Sequence, residues 1–349
     1  MKALRWHGVK DVRLEHIAEP TVSQGKVKIK VEWCGICGSD LHEYTAGPIF
    51  IPTEEPHPLS KDKAPVVLGH EFSGQVVEIG EGITNVKVGD RVVVEPIYAC
   101  GECENCKQGK YNLCNKMGFY GLPGGGGGFS EYASIPVEMI HKIPEVVSYE
   151  QGALVEPSAV ALHAVRQSKL KVGDKAAVFG TGPIGLLVIE ALKASGASEI
   201  YAIELSEQRS QKAEELGAIV INPQEYDPVA EVHKRTGGGV DVSYEVTGVP
   251  LVLTQAINST KSGGETMIVS IFEKEASIHP QTIVLQERTV TGIIGYRDVF
   301  PAVISLMAKG YFSADKLVTK RIKLENVIEE GFETLLKEKE QVKILVKAE

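Results

Sequence analysis

Lys175-Ala176-Ala177-Val178-Phe179-Gly180-Thr181-Gly182-Pro183-Ile184-Gly185 reads as a strand, a glycine turn and the opening of a helix. Each glycine has its own use at this spacing. Gly180 permits the tight turn, Gly182 lets backbone approach a pyrophosphate, and Gly185 lets the helix pack on the strand. The helix opening at Pro183 and Ile184 offers unpaired N–H groups and a positive dipole end to phosphates. Nineteen residues beyond Gly185, at the end of the strand Glu199-Ile200-Tyr201-Ala202-Ile203, stands Glu204. A carboxylate there can bond the adenosine ribose hydroxyls and would repel a 2′-phosphate, which favours NAD over NADP. Arg209 is a mild counter-signal, because a nearby arginine can accept that phosphate. It reads better as a solvated first-turn residue or one lying along the adenosine. A plain α/β turn with an unrelated surface glutamate would not require strand, turn, helix and acid together.

Outward from this turn, toward the C-terminus, strand-like and helix-like segments alternate. The helical pattern Ile184 to Ser195 precedes Glu199–Ile203, and Gln208 to Leu216 precedes Ile219-Val220-Ile221. Val240 to Tyr244, Glu265 to Ser270 and Thr289 to Ile294 follow. Such alternation predicts a doubly wound parallel sheet with helices on both faces. Toward the N-terminus the first ~150 residues read instead as short β segments punctuated by turn pairs. Between Gly47 and Pro65 lie Pro48, Pro52, Pro56, Pro58 and Pro65, which exclude regular structure and predict a long loop. The run Gly124 to Gly128 reads as a second flexible connection. A helix near Phe300 to Lys309 and a strand-like Val342 to Val346 end the chain.

With 349 residues, 43% hydrophobic and 24% charged, the chain has the composition of a globular protein large enough for two domains. A formal charge of −9 gives no support for nucleic-acid binding. No apolar run is long enough to span a bilayer, and the N-terminus has no apolar signal core, so a cytoplasmic location is expected. In that reducing setting six cysteines do not form a disulfide framework.

Four of them, Cys100, Cys103, Cys106 and Cys114, crowd into fifteen residues. Four thiolates this close suit a closed, tetrahedral structural zinc; an iron–sulfur cluster fits the cysteine count alone, but nothing nearby suggests electron transfer. A second site has to be assembled from distant residues: Cys37, His70 and Glu156. One thiolate, one imidazole and one carboxylate leave a fourth position open, as catalytic zinc requires, and formally neutralise the ion. Spacing alone allows equally a buried cysteine, a core histidine and two surface acids, Glu71 and Glu156.

Gly35-Ile36-Cys37-Gly38-Ser39-Asp40-x-His42, Gly69-His70-Glu71, the four-cysteine segment, Leu154-Val155-Glu156-Pro157 and the glycine turn together resemble the zinc-containing medium-chain alcohol dehydrogenases over nearly the whole chain. That resemblance implies a GroES-like β-barrel catalytic domain, discontinuous over 1–153 and 295–349 and holding both zincs. A Rossmann NAD-binding domain over 154–294 would complete the chain, with the active site in the cleft between them. Cys37, His70 and Glu156 would hold the catalytic zinc, and Glu71 resembles a carboxylate that visits the metal. The residues leave open which of Glu71 and Glu156 ligates at rest. Ser39 would bond the substrate hydroxyl, His42 would end a proton relay, and Asp40 would orient His70.

Glu156 in place of cysteine resembles the polyol and butanediol dehydrogenase branch. The insertion Gly47 to Thr53 is similar to that of the (R,R)-2,3-butanediol dehydrogenases, which reduce acetoin and diacetyl. A small diol or hydroxyketone substrate, two zincs per chain, NAD, and a homodimer or homotetramer are therefore expected. A sorbitol-type polyol dehydrogenase and an L-threonine 3-dehydrogenase are the neighbouring alternatives. A non-catalytic NAD-binding protein on the same fold is the alternative of another class; it would be expected to have lost ligands that are all present here. Ile49, Phe50 and Ile51 either line an apolar substrate wall or anchor their loop, Cys34 reads as a small buried hydrophobe, and His163 as a packed residue.

Overall fold

Along the strand Lys26–Gly35, Val27, Ile29 and Val31 are buried and alternate with partly buried Lys28, Lys30 and Glu32. This is the period-two pattern of a strand with one face on a core, seen in a computed structural model that describes every residue except Lys339. The strand pairs antiparallel with Glu71–Ile79, with Tyr132–Pro136 and, at its far end, with Lys343–Lys347, where Leu345 faces Gly35. Arg91–Val94 and Ile140–Lys142 extend this sheet on one side and Val318–Lys323 on the other. A smaller sheet has the order Asp11–His16, Lys2–Gly8, Val66–Val67. Trp6, Phe72, Phe129, Phe332, Ile344 and Val346 belong to the common core. The unit they form comprises Met1–Glu156 and Phe300–Glu349.

Residues 47–65 contain no helix or strand, as five prolines dictate. The glycine run is not the flexible connection its composition suggests. A Cβ on Gly127 would stand 2.3 Å from Leu68 O, and one on Gly128 2.6 Å from Phe72 Cβ. Gly125 N donates to Asp62 Oδ2 at 2.7 Å, which ties the run to the proline-rich loop. These glycines are a close-packed passage in which backbone takes the room of side chains.

The second unit, Pro157–Val299, carries a six-stranded sheet. Its order is Ile219–Ile221, Glu199–Ile203, Lys175–Phe179, Val240–Glu245, Thr260–Ile268, Thr289–Gly292, with every pairing parallel. Counting strands along the chain, this is 3-2-1-4-5-6, the doubly wound dinucleotide-binding order. The order reverses between Lys175–Phe179 and Val240–Glu245, and ligands of such sheets sit outside the C-terminal ends of the strands at that point. Ala177, Phe179, Tyr201, Ile203 and Val232 form a core of their own. His163 is 2% exposed, a packed residue whose imidazole burial pushes down to about 4. Among the described residues no helix is long and apolar enough to cross a membrane.

Candidate active site

The helix Gly38–Ala46 starts directly after Cys37 and carries Ser39, Asp40 and His42 in its first turns. Asp40 is fully buried. Its Oδ2 accepts from Cys37 N at 2.9 Å, while Oδ1 faces His70 Nδ1 at 3.6 Å. One carboxylate therefore braces the Cys37 backbone and faces the Nδ1 edge of the His70 ring. Ser39 Oγ lies 3.2 Å from His70 Nε2, and His42 is half-buried on the same helix.

The Cys37 sulfur, a His70 ring nitrogen and a Glu71 carboxylate oxygen all lie within 4.8 Å of one another. The carboxylate that joins the trio is thus that of Glu71. Glu156, buried in the first turn of the helix Val155–Gln167, stands outside it. Burial works against a charged His70, but the Asp40 carboxylate and the Cys37 sulfur outweigh it and hold the imidazole well above its ordinary range. A thiol, a buried imidazole and a buried carboxylate brought together in this way have the donor chemistry of a divalent cation site.

The second cluster is local. The sulfurs of Cys100, Cys103, Cys106 and Cys114 lie within 4.8 Å of one another, and none of these cysteines is in a disulfide. Cys100 Sγ is 3.5 Å from Cys114 Sγ and 3.9 Å from Cys106 Sγ. A tetrahedron with metal–sulfur bonds of about 2.3 Å has edges of about 3.8 Å, so four sulfurs at this spacing fit one zinc. The backbone N–H groups of Glu102 and Cys103 pull the Cys100 thiol down to about 6, toward the thiolate a metal needs.

At the glycine turn, Gly180 has φ +94°, and a Cβ there would strike Thr247 Cγ2 at 2.5 Å. A Cβ on Gly185 would stand 2.0 Å from Gly180 O, the close helix–strand approach expected there. In front of Gly182 there is open space, with Arg209 Nη1 3.9 Å from where a Cβ would be. Arg209 Nε is buried and has no hydrogen-bond partner among the described residues. Pro183 and Ile184 begin the helix Pro183–Ala194 behind that space. Glu204 Oε2 accepts from Thr181 N and Thr181 Oγ1 at 2.8 and 2.9 Å, and Oε1 from Leu205 N and Ser206 N at 2.8 and 2.9 Å. Although burial opposes it, these donors hold the Glu204 carboxyl below its usual range and keep it anionic.

Residues 23–145 match the family model described as alcohol dehydrogenase GroES-like domain, and residues 183–309 match that described as zinc-binding dehydrogenase. The chain is 70% identical over 348 residues to an (R,R)-butanediol dehydrogenase of Bacillus subtilis, covering 99% of each. It is 44% identical to an (R,R)-butanediol dehydrogenase of Neisseria gonorrhoeae, again with 99% of each covered. A crystal structure of 2R,3R-butanediol dehydrogenase from Bacillus subtilis superposes with a TM-score of 0.96 at 69% identity, over 99% of both chains. The chain belongs to the zinc-containing medium-chain alcohol dehydrogenases.

Three buried charges of this dehydrogenase escaped the reading of its sequence. Lys343, on the C-terminal strand, is 4% exposed and ion-paired with Glu71. Burial disfavours its charge, yet Glu71 and the Cys37 sulfur more than compensate and keep it an ammonium. Glu245 ends the strand Val240–Glu245 and accepts from Thr247 N at 2.7 Å, from Gly248 N and from the hydroxyls of Thr247 and Ser270, so it shapes the turn that faces Gly180. Glu43 accepts from the N–H groups of Ile49, Phe50 and Ile51. Of the three apolar residues in that loop, Ile51 is buried and anchors it, whereas Ile49 and Phe50 are 51% and 40% exposed. Only Glu43 had a signal within reach, an acid directly after His42. The partners of the other two come from distant parts of the chain or from turn geometry.

Proposed function

We propose that this dehydrogenase interconverts (R,R)-2,3-butanediol and acetoin with NAD(H). The reading is carried by the convergence of a thiol, an imidazole and a carboxylate beside the Ser39 hydroxyl. Cys37, His70 and one of the two carboxylates, Glu71 or Glu156, would hold a catalytic zinc, and Cys100, Cys103, Cys106 and Cys114 a structural one. The turn through Gly180, Gly182, Pro183, Ile184 and Gly185 would cradle the pyrophosphate of NAD, with Glu204 on the adenosine ribose and Arg209 beside it. When bound, zinc supplies Lewis acidity at the substrate oxygen and NAD supplies the hydride acceptor. Ser39 Oγ accepts the proton of the substrate hydroxyl and hands it on toward His42, three residues along the same helix. Asp40 would orient His70 from its Nδ1 edge. The substrate follows the relatives named above.

A homodimer or homotetramer is part of the same proposal. Among the described residues the strand Thr289–Gly292 is paired on one edge only, and Val284, Leu285 and Ile294 close to it in sequence are exposed. Six free cysteines suit a cytoplasmic setting.

The test is NADH oxidation with acetoin before and after chelation of zinc. Acetoin reduction is expected to disappear with the metal and to return on adding zinc. Faster metal-dependent turnover of sorbitol or threonine than of acetoin or butanediol would move the substrate and keep the reaction class. No turnover of any secondary alcohol or ketone by protein carrying two zincs would overturn the reading.

A further inference from the structure

Among the described residues Lys343 is the one buried lysine, and the chemistry above gives it nothing to do. An ammonium taken out of water needs compensation, and this one finds it beside the proposed metal site. On its strand Lys343 lies two residues before Leu345, the partner of Gly35, and its Nζ donates to Ile36 O at 2.9 Å and pairs with Glu71 Oε2. Ile36 is the residue before Cys37. A Cβ on Gly35 would stand 2.1 Å from Glu71 Oε2 and 3.0 Å from Lys343 Cε, so the missing side chain at position 35 is the space in which this ion pair sits.

The charges explain why the pair matters. A divalent ion with the Cys37 thiolate and one carboxylate is formally neutral. Two buried carboxylates, Glu71 and Glu156, are at hand, and with both engaged the site would carry a net negative charge. Lys343 offsets one of them. Resting on the zinc site proposed above, we infer that Lys343 is a positioning residue that holds Glu71 as its own partner, weakens the hold of Glu71 on the metal and so keeps one coordination position exchangeable for substrate. Glu71 reaches fully onto the ion only by giving up a buried ion pair, which sets a standing cost on four protein ligands.

The test is the rate at which zinc leaves to a chromophoric chelator, with metal content counted first. In Lys343→Met, Glu71 loses its competitor, and release of the Cys37-dependent zinc is expected to slow about tenfold or more. Lys343→Arg keeps the charge and should release zinc near the wild-type rate. Lys343→Met combined with Glu71→Gln should return toward that rate, because the freed carboxylate is gone. Unchanged or faster release in Lys343→Met, or a double variant as slow as the single one, would overturn the inference. Retention of the four-cysteine zinc reports that the fold is intact. Should Lys343→Met fail that check, Lys343→Gln decides, since it keeps a donor for Ile36 O and removes the charge that holds Glu71. Its zinc release must then be slower than wild type, and an unchanged or faster rate counts against Lys343. If wild-type protein holds a single zinc and Cys37→Ser holds the same one, the metal site falls and the inference with it. Two zincs with no effect of Lys343 sink the inference alone.

Discussion

The Glu204 carboxylate joins the glycine turn proposed above to cradle NAD, through Thr181, to Ser206, which caps the next helix. Its four donors leave it anionic, and an anion at the ribose 2′ position is what repels a phosphate there. In Glu204→Ala the ratio of NAD to NADP efficiency is expected to fall by about ten- to a hundredfold, the size of a charge-assisted hydrogen bond plus the lost repulsion. Glu204→Gln keeps the shape but not the charge and should fall between the two. A ratio unmoved by either substitution would show that this acid does not discriminate. Legibility also differs residue by residue. Glu204 was readable because its place is fixed by counting from Gly185 along two regular elements. The Lys343–Glu71 ion pair was not, because Lys343 stands 272 residues beyond Glu71 and is brought to it only by strand pairing.

The four-cysteine lobe has little regular structure of its own. Its regular structure is one four-residue helix, Glu104–Lys107, and one turn of 3-10 helix, Tyr111–Leu113. Helices this short are unstable alone in water. The lobe is tied to the main sheet through Glu95, which accepts from Tyr111 Oη at 2.5 Å and meets His141 Nε2 at 2.8 Å. With the structural zinc proposed above, metal binding would count toward the folding free energy of such a segment. Cys103→Ser is expected to lower zinc content from two to one per chain and the thermal midpoint by about 5 °C or more. NAD affinity of the 157–299 unit should stay as it was. A variant still holding two zincs would exclude a four-sulfur site. Here the spacing of the cysteines was legible, because all four donors sit within one short segment. The glycine run misled for the opposite reason: Gly127 and Gly128 owe their identity to Leu68 and Phe72, and composition alone cannot separate a close-packed glycine from a mobile one.

At the scale of the molecule the two units differ in how the chain builds them. The parallel-sheet unit is one continuous stretch, and its β-α alternation could be read straight through. The other closes only when both ends of the chain meet, because Lys343–Lys347 lies between Lys26–Gly35 and Val318–Lys323 as an interior strand. No local pattern in Val342 to Val346 says which sheet it joins; the family resemblance supplied that. The asymmetry predicts the outcome of removing residues 341–349. Ile344, Leu345 and Val346 are each at most 1% exposed, and losing them forfeits about 1.5–3 kcal/mol apiece. Against a typical domain stability of about 5–15 kcal/mol, and with an unpaired edge left in the sheet, the first unit should not fold. Hydrogen exchange read by peptide is expected to lose protection over 26–35 and 71–79 and to keep it over 175–179, 199–203 and 240–245. The Cys37-dependent zinc should be lost, because Cys37 and His70 are brought together only by the closed sheet. Retention of that zinc by the truncated chain would mean that the first unit closes without its C-terminal strand.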